Sequence, residues 1–234
     1  MERNSSFTKF YPKHVAFIMD GNRRWAKKKK LPIIEGHKKG SISVKNIVKK
    51  SIELKIKYLT FFSFSTENWK RNPIEVEELQ ELLHFYLESE QQTFIKEKIK
   101  FNTIGDLSRF NNRIRKKIDF LKNKTVKFSR IYFTLALNYG SRNEIINAIK
   151  KIISTKTKNI NENNFSNYLM TSDLPDPDLI IRTSGEMRIS NFLLWQLSYS
   201  ELFFTKTLWP DFTPSQYSKA LENFIKRKRR FGSK

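Results

Sequence analysis

The sequence predicts an α/β fold: one domain over residues 1–234, built on a largely parallel central sheet of about six strands flanked by helices. Three observations carry this reading. Short continuous apolar runs such as Val15–Met19 and Tyr58–Phe62 have the length and the β-branched or aromatic content of strands buried on both faces. Segments of helical periodicity separate these runs, and alternating strand and helix is the pattern of a parallel sheet covered on both sides. The chain is long enough for one full core, and its only linker-like stretch, Ser154–Asn164, is too short to separate a pair of domains.

Residues 1–12 are polar, lack the apolar stretch of a signal peptide and are read as a flexible tail. The first strand, Val15–Met19, runs directly into a helical stretch over 22–30. Residues 40–56 carry amphipathic helical spacing, and Tyr58–Phe62 is the second strand. Ser63–Pro73 is polar and then broken by proline, the character of a mobile loop able to close over a ligand. Residues 75–98 predict one long helix with Val76, Leu79, Leu82, Leu83, Tyr86 and Leu87 on a single stripe. Glu75, Glu77 and Glu78 at its start are explained by the positive end of the helix dipole. Strands follow at 99–104, within 128–137, at 179–181 and at 202–204; helices follow over 110–121, 142–153 and 214–229, and there is no internal repeat.

Composition narrows the setting. The chain has no cysteine, which removes disulfides and thiolate metal sites and fits a reducing compartment, so the cytoplasm is expected. No apolar run approaches the ~20 residues needed to span a bilayer. The formal charge of +22 invites nucleic acid or an anionic membrane surface as a partner. Neither follows automatically, because the 31 lysines far outnumber the 14 arginines and accompany abundant Asn, Ile and Phe, the signature of compositional drift in an AT-rich coding sequence. Lys27–Lys30 and Lys226–Arg230 then read as solvated helix faces.

The densest chemistry lies in His14–Trp25, where a buried strand runs into Asp20, Gly21, Asn22, Arg23, Arg24 and Trp25. Gly21 permits close approach of backbone to a ligand, the N–H groups at the following helix start favour an anion, and two guanidiniums can bind phosphate oxygens. The plain alternative is a tight turn with solvated arginines. In parallel sheets ligands bind beyond the carboxyl ends of the strands. Asp20, residues 63–68, Gly105-Asp106, Asn138 and Arg182 all fall just after strands and so converge on one rim.

A second block, from Asp178 through Arg182-Thr-Ser-Gly-Glu-Met-Arg188-Ile189-Ser190 to Trp195, with Tyr199, Glu201 and Leu208–Phe212 behind it, joins Phe64–Trp69 in extending the pattern. Together with Gly36-His-Lys-Lys-Gly40, Ile104-Gly-Asp106, Asn138-Tyr-Gly-Ser-Arg142 and Arg229-Arg-Phe-Gly232, these segments resemble the cis-prenyltransferase family, most closely its undecaprenyl diphosphate synthases. The resemblance runs in order over residues 13–232. It implies an enzyme that condenses isopentenyl diphosphate repeatedly onto an allylic diphosphate, farnesyl diphosphate as primer, to a long-chain product that serves as lipid carrier for cell-envelope glycan.

The resemblance also implies roles. Asp20 would bind Mg²⁺ and assist departure of the allylic diphosphate, which Gly21, Asn22, Arg23, Arg24 and His37 would hold, with Trp25 beside them. Arg182, Arg188, Ile189 and Ser190 would cradle isopentenyl diphosphate, and Glu201 would be a further metal ligand. Asn68, with Ser65, Thr66 and Glu67, is the position to which the family assigns help in proton removal; a neutral amide is a poor proton acceptor, so orienting substrate or Asp20 is the sounder role, with the departing diphosphate as acceptor. Trp69 and Arg71 complete that loop, and ordinary aromatic packing is the alternative for Trp69. Arg230-Phe231-Gly232 would reach the site of a partner subunit, which implies a homodimer. The hydrocarbon needs a dry channel, for which the 75–98 stripe and Ile131, Phe133, Leu135 and Leu137 are candidates, although core packing predicts the same residues.

Three positions depart from the family pattern. Ile33 stands where an arginine is usual, Met187 where bacterial members often have a histidine, and Arg23 where glycine is frequent. Two rivals remain. A catalytically silent subunit of the same fold should lack Asp20 and the phosphate arginines, which this chain keeps. A nucleic-acid-binding protein should cluster its basic residues with exposed aromatics, whereas these lysines are spread over most helices. The Asp-Asp-x-x-Asp motif of trans-prenyltransferases is missing, and Asp173, Asp176 and Asp178, interleaved with prolines, read as a loop.

Overall fold

The structure, a computed structural model, describes residues 11–227. Six strands form one sheet: β1 (His14–Ile18), β2 (Tyr58–Ser65), β3 (Ile99–Ile104), β4 (Ile131–Tyr139), β5 (Leu179–Arg182) and β6 (Glu201–Phe204), in spatial order β3-β4-β2-β1-β5-β6. Every pairing is parallel, so the carboxyl ends of all six strands share one rim. Helices α1 (Asn22–Lys28), α2 (Ile33–Glu53), α3 (Pro73–Ser89), α4 (Gln91–Lys96), α5 (Asn112–Thr125), α6 (Ser141–Ser154), α7 (Glu162–Phe165) and α8 (Pro214–Lys226) complete the fold.

The period of two along β1 explains why its run is apolar throughout. Val15 and Phe17 face one core, where they join Ile47 of α2, Leu87 of α3, Ile118 of α5 and Tyr217 of α8. Ala16 and Ile18 face the other, with Ile180, Ala136, Phe192 and Leu193. All five β1 residues are buried. Register is set here by size: a slip of one residue would turn the bulky Phe17 into the core that fits Ala16 and Ile18, misfitting both sides.

The differences from the sequence expectations have local causes. α2 begins at Ile33 rather than residue 40, because Pro32 supplies a compatible helix start and Gly36 and Gly40, although poor helix formers, let α2 press onto α1. The long helix divides at Glu90 into α3 and α4. The expected loop over 63–73 is instead the end of β2, a 3₁₀ turn at Thr66–Lys70 and the Asn72 cap of α3. Asp178 is structural: its Oδ2 accepts the Lys13 and His14 backbone N–H groups at 2.8 and 3.1 Å, fixing the start of β1. Of the expected tail, Tyr11 and Pro12 are described, and Tyr11 packs against the core.

Candidate functional site

Asp20 follows β1 and Arg182 ends β5, its neighbour in the sheet. Parallel pairing therefore delivers both to the same rim, where Arg182 Nη2 donates to Asp20 Oδ2 at 2.9 Å. Thr183 fastens this junction: its hydroxyl accepts the Asp20 N–H at 3.0 Å and donates to the Asp20 carbonyl at 2.7 Å. Arg24, one helical turn on, places Nη2 at 3.2 Å from Asp20 Oδ1. Burial works to raise the Asp20 pKa, but the hydrogen bond and charge of Arg182, with those of Arg24, outweigh it and hold the carboxyl below the ordinary aspartate range.

Arg182 also organises the loop that follows it. Its Nη1 donates to the Arg188 carbonyl and to Ser190 Oγ, the latter at 2.7 Å. The Arg188 side chain is exposed and pairs with Glu186, which also accepts from Arg24 Nη1 at 3.1 Å. Ile189 packs into the second core cluster beneath this loop. Arg182 Nε is buried without a hydrogen-bond partner, as are Asn22 Oδ1 and His37 Nε2. Orphaned polar atoms are costly in a finished interior and common where a ligand completes the site.

His37 reaches the rim because α2 lies unusually close to α1. A Cβ on Gly36 would stand 2.2 Å from the Asn22 carbonyl oxygen, and one on Gly40 would stand 2.4 Å from Asn22 Oδ1. Side chains there would push α2, and His37 with it, away from α1 and from Asp20 just before it. Burial, then the charges of Arg71 and Arg23, lowers the His37 pKa to about 4, so the ring is neutral at pH 7. Gly21, at φ 111°, makes the strand-to-helix turn in a conformation that other residues rarely adopt.

On the other side of the mouth a register shift in β2 between Phe62 and Ser65 re-aims the strand end. Ser65 begins the 3₁₀ turn, and its N–H donates to Asn68 Oδ1 at 3.0 Å, so the oxygen of that amide is already engaged. Arg71 pairs with Glu75 of α3 at 3.1 Å, and Arg23 reaches the same carboxylate at 3.6 Å. Glu75, read from the sequence as a helix-dipole residue, is thus buried within the site; its spacing of four from Arg71 is the signal the sequence offers.

These groups ring the mouth of one cavity of about 1260 Å³. Asp20, Gly21, Asn22, Arg23, Arg24, His37, Ser65, Asn68, Arg71 and Arg182 all line it. Its body runs between α2 and α3 over the sheet, walled by Leu79, Leu82, Leu83, Tyr86, Leu87, Phe133, Leu135 and Leu137. Val76 and Ile131, expected on the same wall, belong to the core instead. Lys27 also lines the cavity and supplies a cation near the mouth that Ile33 does not.

Other expected residues lie off this wall. The Trp25 indole donates to Asp211 Oδ1 at 2.8 Å, and Glu67 accepts from Asn191 at 3.4 Å. Thr66 packs beside Gly140. Trp69 donates to Asn138 Oδ1 at 2.8 Å and is packed by Phe64, Phe110 and the Arg109 guanidinium, the ordinary packing role. Glu201 starts β6 in register with Leu179 and Val15, at the opposite strand end from Asp20, and pairs with Arg227. The parallel register therefore sets Glu201 three strand residues, about 10 Å, before the end of β1 that Asp20 follows. Met187 is exposed. Arg230-Phe231-Gly232 lies outside the described residues.

Among the described residues no three His, Asp or Glu side chains gather as a metal cage. The donor set suits a hard cation held by one carboxylate and completed by phosphate oxygens, since an ionised Asp20 with two arginine contacts keeps lone pairs free.

Residues 18–232 match the family described as "Putative undecaprenyl diphosphate synthase". The isoprenyl transferase of Aquifex pyrophilus is 49% identical over 221 residues, covering 94% of this chain and 96% of that one. A "probable undecaprenyl diphosphate synthase" from Campylobacter jejuni superposes with a TM-score of 0.81 at 37% identity, covering 96% of this chain and 100% of the other. Lavandulyl diphosphate synthase from Lavandula x intermedia, solved with dimethylallyl diphosphate, gives 0.92 at 35% identity over 95% of this chain and 99% of its own. With a cation-ringed mouth on an apolar channel and likeness along nearly its whole length, this chain belongs to the undecaprenyl diphosphate synthase family and is a prenyltransferase.

Proposed function

We infer that this chain is a cis-polyprenyl diphosphate synthase that adds isopentenyl diphosphate units to farnesyl diphosphate, with Mg²⁺, to a long-chain product such as undecaprenyl diphosphate. The observation that carries this reading is the continuity of the site: a carboxylate and four arginines at the mouth of a channel whose body is mostly apolar. Two diphosphates side by side bring at least four negative charges into one cleft, and without cations they would repel strongly at the reduced dielectric of a half-buried site.

In each cycle the C1–O bond of the allylic diphosphate breaks, C1 joins C4 of isopentenyl diphosphate, and C2 of the latter loses a proton as the new double bond forms. Arg23, Arg24 and the neutral His37 hold the departing diphosphate, and Arg182 with Ser190 orients the incoming one. Bound Mg²⁺ would neutralise charge developing on the leaving group. Asn68, its oxygen tied to Ser65, offers its N–H₂ end to orient substrate, and the departing diphosphate takes the proton. Apolar walls accept the growing chain and keep water from the allylic cation.

A homodimer is part of this proposal. It is supported by Ile146, Ile149 and Ile153, which leave one stripe of α6 exposed at 51, 42 and 69%. Among the described residues no helix is long and apolar enough to cross a membrane. The proposed setting is the cytoplasm, with peripheral contact at the inner membrane face when product leaves. Incubating purified protein with farnesyl diphosphate, labelled isopentenyl diphosphate and Mg²⁺, then sizing the products, tests the reading. Long cis-polyprenyl diphosphates are expected; a folded protein that makes none would return the silent-subunit alternative.

A further inference from the structure

Two guanidiniums from different segments, Arg23 on α1 and Arg71 after the β2 turn, converge on one carboxylate, Glu75, in the first turn of α3. The Glu75 side chain is only 9% exposed, against 47% for Arg23 and 26% for Arg71. This differs from the other bridging carboxylate at the mouth. Glu186 is 30% exposed and joins Arg24 to Arg188, so it can rotate into water when phosphate oxygens take its place. Glu75 cannot leave without stranding a buried charge, which is strongly unfavourable.

We infer that Glu75 is a positioning residue, holding Arg23 and Arg71 aimed across the channel mouth so that the allylic diphosphate meets two cations already in place. The inference rests on the functional reading above. An arginine has many rotamers, and Arg23, half exposed, would otherwise spend them in solvent; fixing it before the ligand arrives removes that cost from binding. One carboxylate against two guanidiniums also leaves a net positive charge at this corner, suited to an anion. His37 stands by the same pair with Nε2 unpartnered, so the corner offers an incoming diphosphate two cations and a ring nitrogen. Arg182 bonds to Asp20 and Ser190, whereas Glu75 pairs with Arg23 and Arg71, which directs its influence to one of the two substrates.

The test compares Glu75→Gln and Glu75→Asp in the full-length enzyme, with KM measured separately for farnesyl and isopentenyl diphosphate. Glu75→Gln should raise the KM for farnesyl diphosphate about tenfold, the size of one lost charge-assisted hydrogen bond, and leave the KM for isopentenyl diphosphate within about twofold. Glu75→Asp keeps the charge on a shorter arm and should fall between. In an Arg23→Ala/Arg71→Ala background, Glu75→Gln should cost nothing further, because the groups it positions are gone. Equal rises in both KM values, an unchanged farnesyl KM, or an undiminished loss in the double-alanine background would overturn the assignment. Titration with inorganic pyrophosphate reads the same contrast without turnover, so a wild-type chain that binds pyrophosphate but makes no product would count against the functional reading and leave the Glu75 comparison intact.

Discussion

Arg182 Nη2 and Asp20 Oδ2 are 2.9 Å apart, and this pair joins the carboxyl ends of β1 and β5 at the floor of the channel mouth. The arginine is almost fully buried, and its other terminal nitrogen holds the loop that carries Arg188 and Ser190. Arg182→Lys keeps a charge but not the planar fork that makes these contacts together. It should lower kcat/KM for isopentenyl diphosphate about 100-fold, the size of a lost charge-assisted contact that holds the substrate's diphosphate in place, with a smaller effect on farnesyl diphosphate binding. Steady-state kinetics with each substrate varied in turn checks this.

Acid should destabilise the fold through its buried histidines before it reaches the paired carboxylates. His14, between the Pro175 carbonyl and the Thr60 hydroxyl, and His37 both have pKa values lowered by burial from 6.5 to about 4. Between those values the unfolded chain binds protons that the folded chain does not, so stability rises with pH across that window and is fully present above it. The cost approaches about 3 kcal/mol for each ring near pH 4. Asp20, whose pKa is lowered, contributes stability that is lost only as pH falls through its depressed value. Urea unfolding at pH 7 and pH 5 should show the loss, and His37→Gln should make the difference smaller; an equal difference in the variant would refute the assignment.

Gly36→Ala should damage both fold and site. The added methyl would meet a backbone oxygen, Asn22 O, which cannot turn aside as a flexible side chain would. Overpacking of this kind costs about 1–3 kcal/mol, and relief by shifting α2 would move His37 from the mouth. A lower urea midpoint together with a raised KM for farnesyl diphosphate is expected.

Much of this is legible in the sequence, for identifiable reasons. Val15–Met19 reads as a doubly buried strand because its period-two faces are both apolar, and β1 is buried throughout. Asp20 and Arg182 fall on one rim because parallel strands end together. What the sequence hides depends on tertiary contacts. Glycines at 36 and 40 argue against helix by propensity, yet close packing on Asn22 requires them. The 63–73 segment reads as an open loop because its order comes from Trp69, anchored to Asn138, and from the Asn68 cap. Glu75 reads as a helix-dipole residue because nothing local shows that Arg23 folds back to meet it. Glu201, a metal ligand by resemblance, begins β6 at the other end of the sheet from Asp20, a placement that follows from strand register rather than from the motif that carries the resemblance.

Narrowing the channel should shorten the product. Leu83 lines the body of the cavity, beyond the charged mouth. Leu83→Trp adds bulk there without touching the diphosphate groups, so the first condensations should proceed and chain growth should stop early. Thin-layer or mass analysis of the products is expected to show shorter chains at nearly unchanged initial rate; full-length product would place the growing tail elsewhere.

The most direct measurement is single-turnover condensation of farnesyl diphosphate with labelled isopentenyl diphosphate by Asp20→Asn, with folding verified by its urea midpoint. Asparagine keeps the shape of the side chain but removes the charge that faces Arg182 and Arg24 and would hold the cation. The account predicts that the first carbon–carbon bond forms about 100- to 1000-fold more slowly. A variant that condenses at the wild-type rate would contradict it.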